Sequence, residues 1–259
     1  MRYLLAAIVV LTGSISAQDV TSQAKAEFEK LSNEFEAAQK IYQAERKTII
    51  ASDEFKKARE ANDRDARRKL MSKAKRPDRG AYAERFMAAA NEYVGKEEAV
   101  PFLSWAILNG GREWAKKGTT KLIQGHASSA KLGDFMERAA SIGRLIGADE
   151  AREAMTKIIK ENPDKNIQAS AYLARAGMFR GKELTDTQKE QKAADLAMVV
   201  KLAPDSIMAM RAEAPAFKKN RLQIGMVAPD IEGTDFNGTK FKTSDYRGKV
   251  VVLDFWGDW

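Results

Sequence analysis

The sequence predicts a mostly α protein: an N-terminal helical bundle or solenoid, followed by the incomplete start of an α/β domain, a hairpin plus one central strand. Three observations carry this expectation. Residues 20–76 contain neither glycine nor proline, and their apolar side chains recur at helical spacing. Helix-length segments punctuated by Pro, Gly and Asp then follow as far as Arg221. Beyond Leu222 the pattern changes to strand, tight turn, strand and a dense apolar run. The expected organisation is a leader at 1–17, an all-helical domain at 18–221 with helical-repeat character, and the opening of a second domain at 222–259.

The leader comes first. Met1-Arg2-Tyr3 supplies a positive start, Leu4 to Leu11 an apolar centre, and Gly13 to Ala17 a small-residue exit. This is the layout of a secretory signal peptide, with cleavage expected after Ser16 or Ala17. It predicts export to a bacterial-type periplasm or cell envelope, with membrane anchoring only if the leader stays uncleaved. With no cysteine here, a lipid-modified anchor of the bacterial lipoprotein kind is excluded.

From Val20 to Arg76 one or two long helices are expected. Phe28, Leu31, Phe35, Ala38, Tyr42 and Ile49 form an apolar stripe on one side. Glu45 and Ser52 interrupt the seam, which favours a docked helix or antiparallel hairpin over an extended coiled coil. The basic run from Lys56 to Arg85 is broken by Glu60, Asp63, Asp65, Asp78 and Glu84, so it reads as a solvated face, and no nucleic-acid partner is expected.

Pro77-Asp78-Arg79-Gly80 is a turn. Tyr82 to Tyr93 then gives a helix ended by Gly95, and Val100 to Leu108 a second, stopped by Asn109-Gly110-Gly111 as a left-handed cap. Trp105 and Trp114 are expected in the core. Further helices are expected at 132–146, 150–160, 166–179, 185–202 and from Ser206 to Ala214 or beyond, with Pro215 as a kink. The recurrence of Pro-Asp at 163–164 and 204–205 gives the helical-repeat character.

Composition narrows the chemistry. The net charge is +8 with both signs interspersed, and 44% of residues are hydrophobic, enough for a core. There is no cysteine and one histidine, His126, read as a surface or capping side chain at a helix end. Neither a thiolate metal site nor thiol chemistry is open to these 259 residues. Glu97-Glu98 reads as a charged surface pair without a buried partner. No catalytic constellation, phosphate-binding loop or metal-ligand cluster emerges from the helical region, and no cofactor is expected.

In the last segment, Asn237-Gly238 between Asp235-Phe236 and Lys240-Phe241 predicts a hairpin over 231–242, both turn residues taking positive φ. Thr243-Ser244-Asp245 predicts a short helical turn closed by Gly248. Val250 to Phe255 predicts a strand buried on both faces.

Ala228-Pro229-Asp230, the hairpin, Ser244 to Lys249, the valine run and Asp254-Phe255-Trp256-Gly257-Asp258-Trp259 together resemble the opening of a thioredoxin-fold domain of the TlpA/ResA-like, redoxin (AhpC/TSA) class. In that class the central strand runs into Phe-Trp-x-x-Trp, and the next residue is the first cysteine of Cys-x-x-Cys. Trp259 matches the tryptophan before that cysteine. The resemblance therefore implies a chain interrupted just before its redox pair, with no catalytic residue within it and an active-site flank of Trp256, Asp258 and Trp259. The tryptophans would form an apolar rim, and Asp258 would tune the thiolate or serve solubility.

The implied full-length function is an exported thiol–disulfide oxidoreductase acting on protein thiols or disulfides, with a protein partner reached through the helical domain. The given chain alone is expected to be inactive. Two alternatives stand beside it. One is a non-enzymatic periplasmic helical scaffold or protein-binding module. The other is a peroxiredoxin-type thiol peroxidase, a class that shares the opening but usually continues through a Pro-containing segment to a lone cysteine.

Overall fold

A computed structural model describes residues 17–181 and 183–254. Among them the chain is mostly α, with twelve α-helices and one two-stranded antiparallel sheet. The expected leader lies outside the described residues except for Ala17, which opens the first helix. No helix among the described residues is long and apolar enough to cross a membrane.

Helix α1 (Ala17–Ala51) is the longest element. Its stripe faces the body: Ala24, Leu31 and Phe35 are buried, while Phe28, Ala38, Tyr42 and Ile49 are half-buried. It ends where Ser52 takes an extended conformation. The Ser52 hydroxyl donates to the Ile49 carbonyl at 2.7 Å and accepts the Phe55 amide at 3.2 Å, closing one helix and capping the next. Two short helices follow, α2 (Asp53–Glu60) and α3 (Arg64–Met71), separated by Asn62 at φ 52° and capped by Asp63. The region expected as one or two helices is thus three, because Ser52 and Asp63 bond local backbone groups and Asn62 turns the chain at positive φ. The segment after α3 turns back on α1, where the Lys75 amide donates to the Glu45 carboxylate at 3.1 Å.

Helices α4 (Arg79–Glu92), α5 (Ala99–Asn109) and α6 (Arg112–Gly125) pack successively, with α1 laid across α4. Asp78 caps α4 through the Gly80 and Ala81 amides. The α1–α4 contact carries the Arg85–Glu34 ion pair at 2.5 Å and a bond from the Tyr93 hydroxyl to Glu27 at 3.1 Å. Its interior is aromatic: Phe86 stacks on Trp105 at 3.9 Å and 7°, and Phe28 meets Phe86 and Phe102 edge-on. Trp105 and Trp114 are both half-buried against this core. The expected cap after α5 sits one residue later than Gly110: Gly110 stays helical at φ −78°, and Gly111, at φ 88°, opens α6. A Cβ on Gly110 would stand 2.5 Å from that of Ala83 and 2.7 Å from that of Trp114, so this glycine is required by helix approach.

The single helix expected over 132–146 is instead a broken path. It runs through 3₁₀ turns at Ala130–Leu132 and Ala139–Ser141, with α7 (Gly133–Arg138) between them and α8 (Gly143–Ile146) after. The Ser141 hydroxyl bonds the Arg138 carbonyl at 2.7 Å and competes with the helical ladder there. His126 is not a surface side chain. It occupies the C-cap of α6 at 8% exposure, and burial, opposed by the nearby Glu97 charge, lowers its imidazole pKa.

Helices α9 (Ala148–Glu161), α10 (Lys165–Met178), α11 (Asp186–Leu202) and α12 (Ile207–Arg221) follow close to the expected bounds, each packed on the next. Their starts are set by caps: Asp164 for α10, a Thr185–Gln188 capping box for α11, Ser206 for α12. Pro215 sits within α12, which continues through it to Arg221. The two Pro-Asp turns differ, since Asp164 caps a helix whereas Asp205 takes φ 58° and leaves capping to Ser206. Buried Asn162 ties the α9–α10 turn to a distant connection. Its side-chain amide donates to the Ala127 and Ser129 carbonyls at 3.0 and 2.9 Å, and its side-chain oxygen accepts the Asp164 amide.

Candidate functional site

The sequence placed its site flank at Trp256, Asp258 and Trp259, and all three lie outside the described residues. The structure does describe the frame leading to them. Strands β1 (Glu232–Thr234) and β2 (Lys240–Lys242) pair antiparallel, with Gly233 opposite Phe241. The hairpin is where the sequence expected it, but its turn is different. The Asp235 amide donates to the Thr239 carbonyl at 2.8 Å and its carbonyl accepts the Gly238 amide at 3.0 Å, leaving a three-residue loop in which only Gly238, at φ 81°, has positive φ. The Asp235 carboxylate accepts the Asn237 and Thr239 amides at 2.8 Å each, and this side-chain cradle replaces the two-residue turn.

A second carboxylate locks the base of the hairpin. Asp230 Oδ1 accepts the Thr243 hydroxyl and the Ser244 amide, both at 2.8 Å, and Oδ2 accepts the Ser244 hydroxyl at 2.6 Å. The Thr243 hydroxyl oxygen accepts the Ile231 amide at 2.9 Å, and the Thr243 amide donates to the Ile231 carbonyl at 3.0 Å. The 3₁₀ turn at Thr243–Tyr246 is thereby fixed against the strand entry, and Gly248 at φ 84° follows it, as expected.

Three hydrogen bonds to the ionised form, the Ser244 hydroxyl foremost, hold the Asp230 carboxyl down to about 2. Because this lies below the ordinary 3.8, the clasp is fully charged above pH 3.8 and is lost only as pH falls through about 2. A carboxyl-detected NMR titration of Asp230 should show a midpoint near 2, and Asp230→Asn should reduce hydrogen-exchange protection of the Ser244 amide. A midpoint at 3.8 would remove the clasp from the description.

Val250 to Asp254 has no strand partner among the described residues, and the expected burial on both faces is not met. Val250 is 96% and Val252 86% exposed. A strand acquires burial only from neighbours on its edges and layers on its faces, and the short hairpin supplies neither here.

Sequence reasoning also missed the setting of Glu97-Glu98. Glu98 accepts the Thr21 hydroxyl at 2.8 Å and the Lys131 ammonium at 3.2 Å, which together hold its pKa below the ordinary value against partial burial. Glu97 accepts the hydroxyl of buried Ser129 at 2.5 Å. These partners come from segments far apart in sequence, so no local signal pointed to them. Among the described residues no group of three or more His, Cys, Asp or Glu is placed to hold a metal ion.

Comparison with known proteins connects one short stretch of the chain to the thiol–disulfide oxidoreductases. Thiol-disulfide oxidoreductase ResA of Geobacillus kaustophilus is 48% identical over 42 residues, 16% of this chain and 24% of that protein. ResA of Bacillus thuringiensis subsp. konkukian is 43% identical over 42 residues, and ResA of Bacillus anthracis 46% over 41, with the same coverage of each chain. The chain thus spans about a quarter of the length of the curated relatives it matches. No family model matches it, and no solved structure does.

Proposed function

We propose that this polypeptide is the leading part of an exported thiol–disulfide oxidoreductase, in which a helical domain at 18–221 precedes the opening of a thioredoxin-like domain at 222–259. The observation that carries the reading is the motif order from Ala228 to Trp259, whose hairpin, 3₁₀ turn and Gly248 form a connected frame, and the short ResA similarity points to the same class. In this reading the attacking thiolate belongs to a Cys-x-x-Cys directly after Trp259, at the N-terminus of a helix whose amides and dipole favour the anion. It attacks a substrate disulfide, and the second cysteine displaces the reduced substrate. Trp256 and Trp259 line the approach, and Asp258 stands beside it.

The alternative is a non-enzymatic helical scaffold, since without a downstream Cys-x-x-Cys these 259 residues hold no thiol for exchange. Sequencing the transcript through the Trp259 codon separates the two. Cys-x-x-Cys immediately downstream supports the oxidoreductase. A stop codon supports the scaffold, and a Pro-containing run to a single cysteine moves the assignment to a thiol peroxidase. The 259-residue chain itself should give no insulin reduction above background, and turnover there would overturn the thiol-based reading.

A further inference from the structure

The helical body carries two adjoining concavities of unlike character. The first, about 450 Å³, lies between the start of α1, α5 and the 130–138 segment, with Phe28, Phe102, Trp105, Leu108 and Phe135 among its walls. The second, about 500 Å³, is polar and gathers Arg138, Arg144 and Arg180 around Ser141, with Glu137 as the one acidic side chain lining it. Leu108 and Arg138 line both, so the aromatic trough runs into the arginine cluster.

Two features define what this groove fits. Apart from Asp134 and Arg138, which also line it, the polar groups along the trough are engaged within the protein, Lys25 by Glu29. Ser104 bonds the Val100 carbonyl, Asn109 the Trp105 carbonyl, and Glu98 takes Thr21 and Lys131. An extended peptide laid there would find few partners for its backbone, whereas a plain hydrocarbon chain needs none. At the far end the situation is reversed. Three exposed guanidiniums converge on one concavity, and none is within ion-pair distance of a carboxylate among the described residues. Three guanidiniums around a single acidic side chain, Glu137, leave an excess of positive charge, and a guanidinium fork matches a carboxylate.

We propose that this groove binds a monomeric long-chain alkyl carboxylate, its hydrocarbon lying against Phe28, Trp105 and Phe135 and its head group held by Arg138, Arg144 and Arg180. The volume falls in the range of small-molecule sites, and the apolar walls with a few placed charges have the usual composition of one.

Isothermal titration calorimetry of the 259-residue protein with dodecanoate, below its micelle concentration, tests this. Dodecanoate should bind at one site, with dodecanol weaker by at least about tenfold because it lacks the charge. Affinity should rise by about tenfold for each two carbons added from octanoate to dodecanoate. The double variant Arg144→Ala/Arg180→Ala, both positions exposed, should keep its circular-dichroism melt and bind dodecanoate no better than dodecanol. Lys116→Ala, on α6 and outside both concavities, should change nothing. Equal binding of acid and alcohol, no dependence on chain length, or full affinity in the double variant would overturn the proposal. So would arginine-dependent binding to anionic phosphatidylglycerol vesicles without binding of monomeric dodecanoate, which would make the cluster a membrane contact.

Discussion

Asp195→Ala is expected to destabilise the helical body by about 3–5 kcal/mol, because it leaves a largely buried guanidinium without its counter-charge. Asp195 is 1% exposed. Its two oxygens accept Arg175 Nε and Nη2 at 2.9 and 2.6 Å, and Gln191 adds a third donor at 2.9 Å. The same arginine reaches the Thr156 hydroxyl on α9 at 2.8 Å and lies over the Tyr172 ring, so one side chain joins α9, α10 and α11. Its hydrogen bonds to Asp195 raise the Arg175 pKa further above the ordinary value, against the effect of burial. For a chain of this size the loss corresponds to roughly 10 °C in melting temperature. The double variant Asp195→Ala/Arg175→Met should recover part of the stability, since it removes the stranded charge as well. A loss under about 1 kcal/mol in Asp195→Ala, measured by urea unfolding, would show that water reaches the pair after all.

The second large effect is expected at Phe86. Fully buried and stacked on Trp105, it is the centre of the aromatic contact through which α1 meets α4 and α5. Phe86→Ala should cost about 3–5 kcal/mol in transfer and cavity terms, and the emission of Trp105 should move to the red as water gains access. Phe86→Leu, which retains most of the volume, should cost much less. Equal losses for the two substitutions would mean that the site collapses around the smaller side chain and that stacking contributes little.

Legibility in the sequence followed how local the determinants were. The α10, α11 and α12 starts lie within a residue of those expected, and each is set locally, Asp164, Thr185 and Ser206 bonding amides two or three residues away. The hairpin was found by Asn237-Gly238, yet its loop geometry was not, since Asp235 offered a competing side-chain acceptor. The breaks at Ser52 and Asn62 were hidden by residues that helices tolerate at modest cost. His126 was expected at a helix end, where it lies as the α6 C-cap, but its burial depends on packing that periodicity does not reach. The groove and its arginines were invisible for the same reason, being assembled from α1, α5, the 130–146 path and the end of α10. At the C-terminal end the hairpin position, the turn after Lys242 and Gly248 were readable, the Asp230 clasp was not, and the flank at Trp256, Asp258 and Trp259 rests on resemblance.

Asn162 has a consequence for how the body comes apart. A connection between helices ordinarily opens alone, at low free energy, while the rest of the domain stays folded. Here one buried amide holds the 127–129 bend and the start of α10 together, so releasing either strands polar atoms in the other. The two joints therefore melt as a single cooperative unit, and the weakest hinge of the helical body must lie elsewhere.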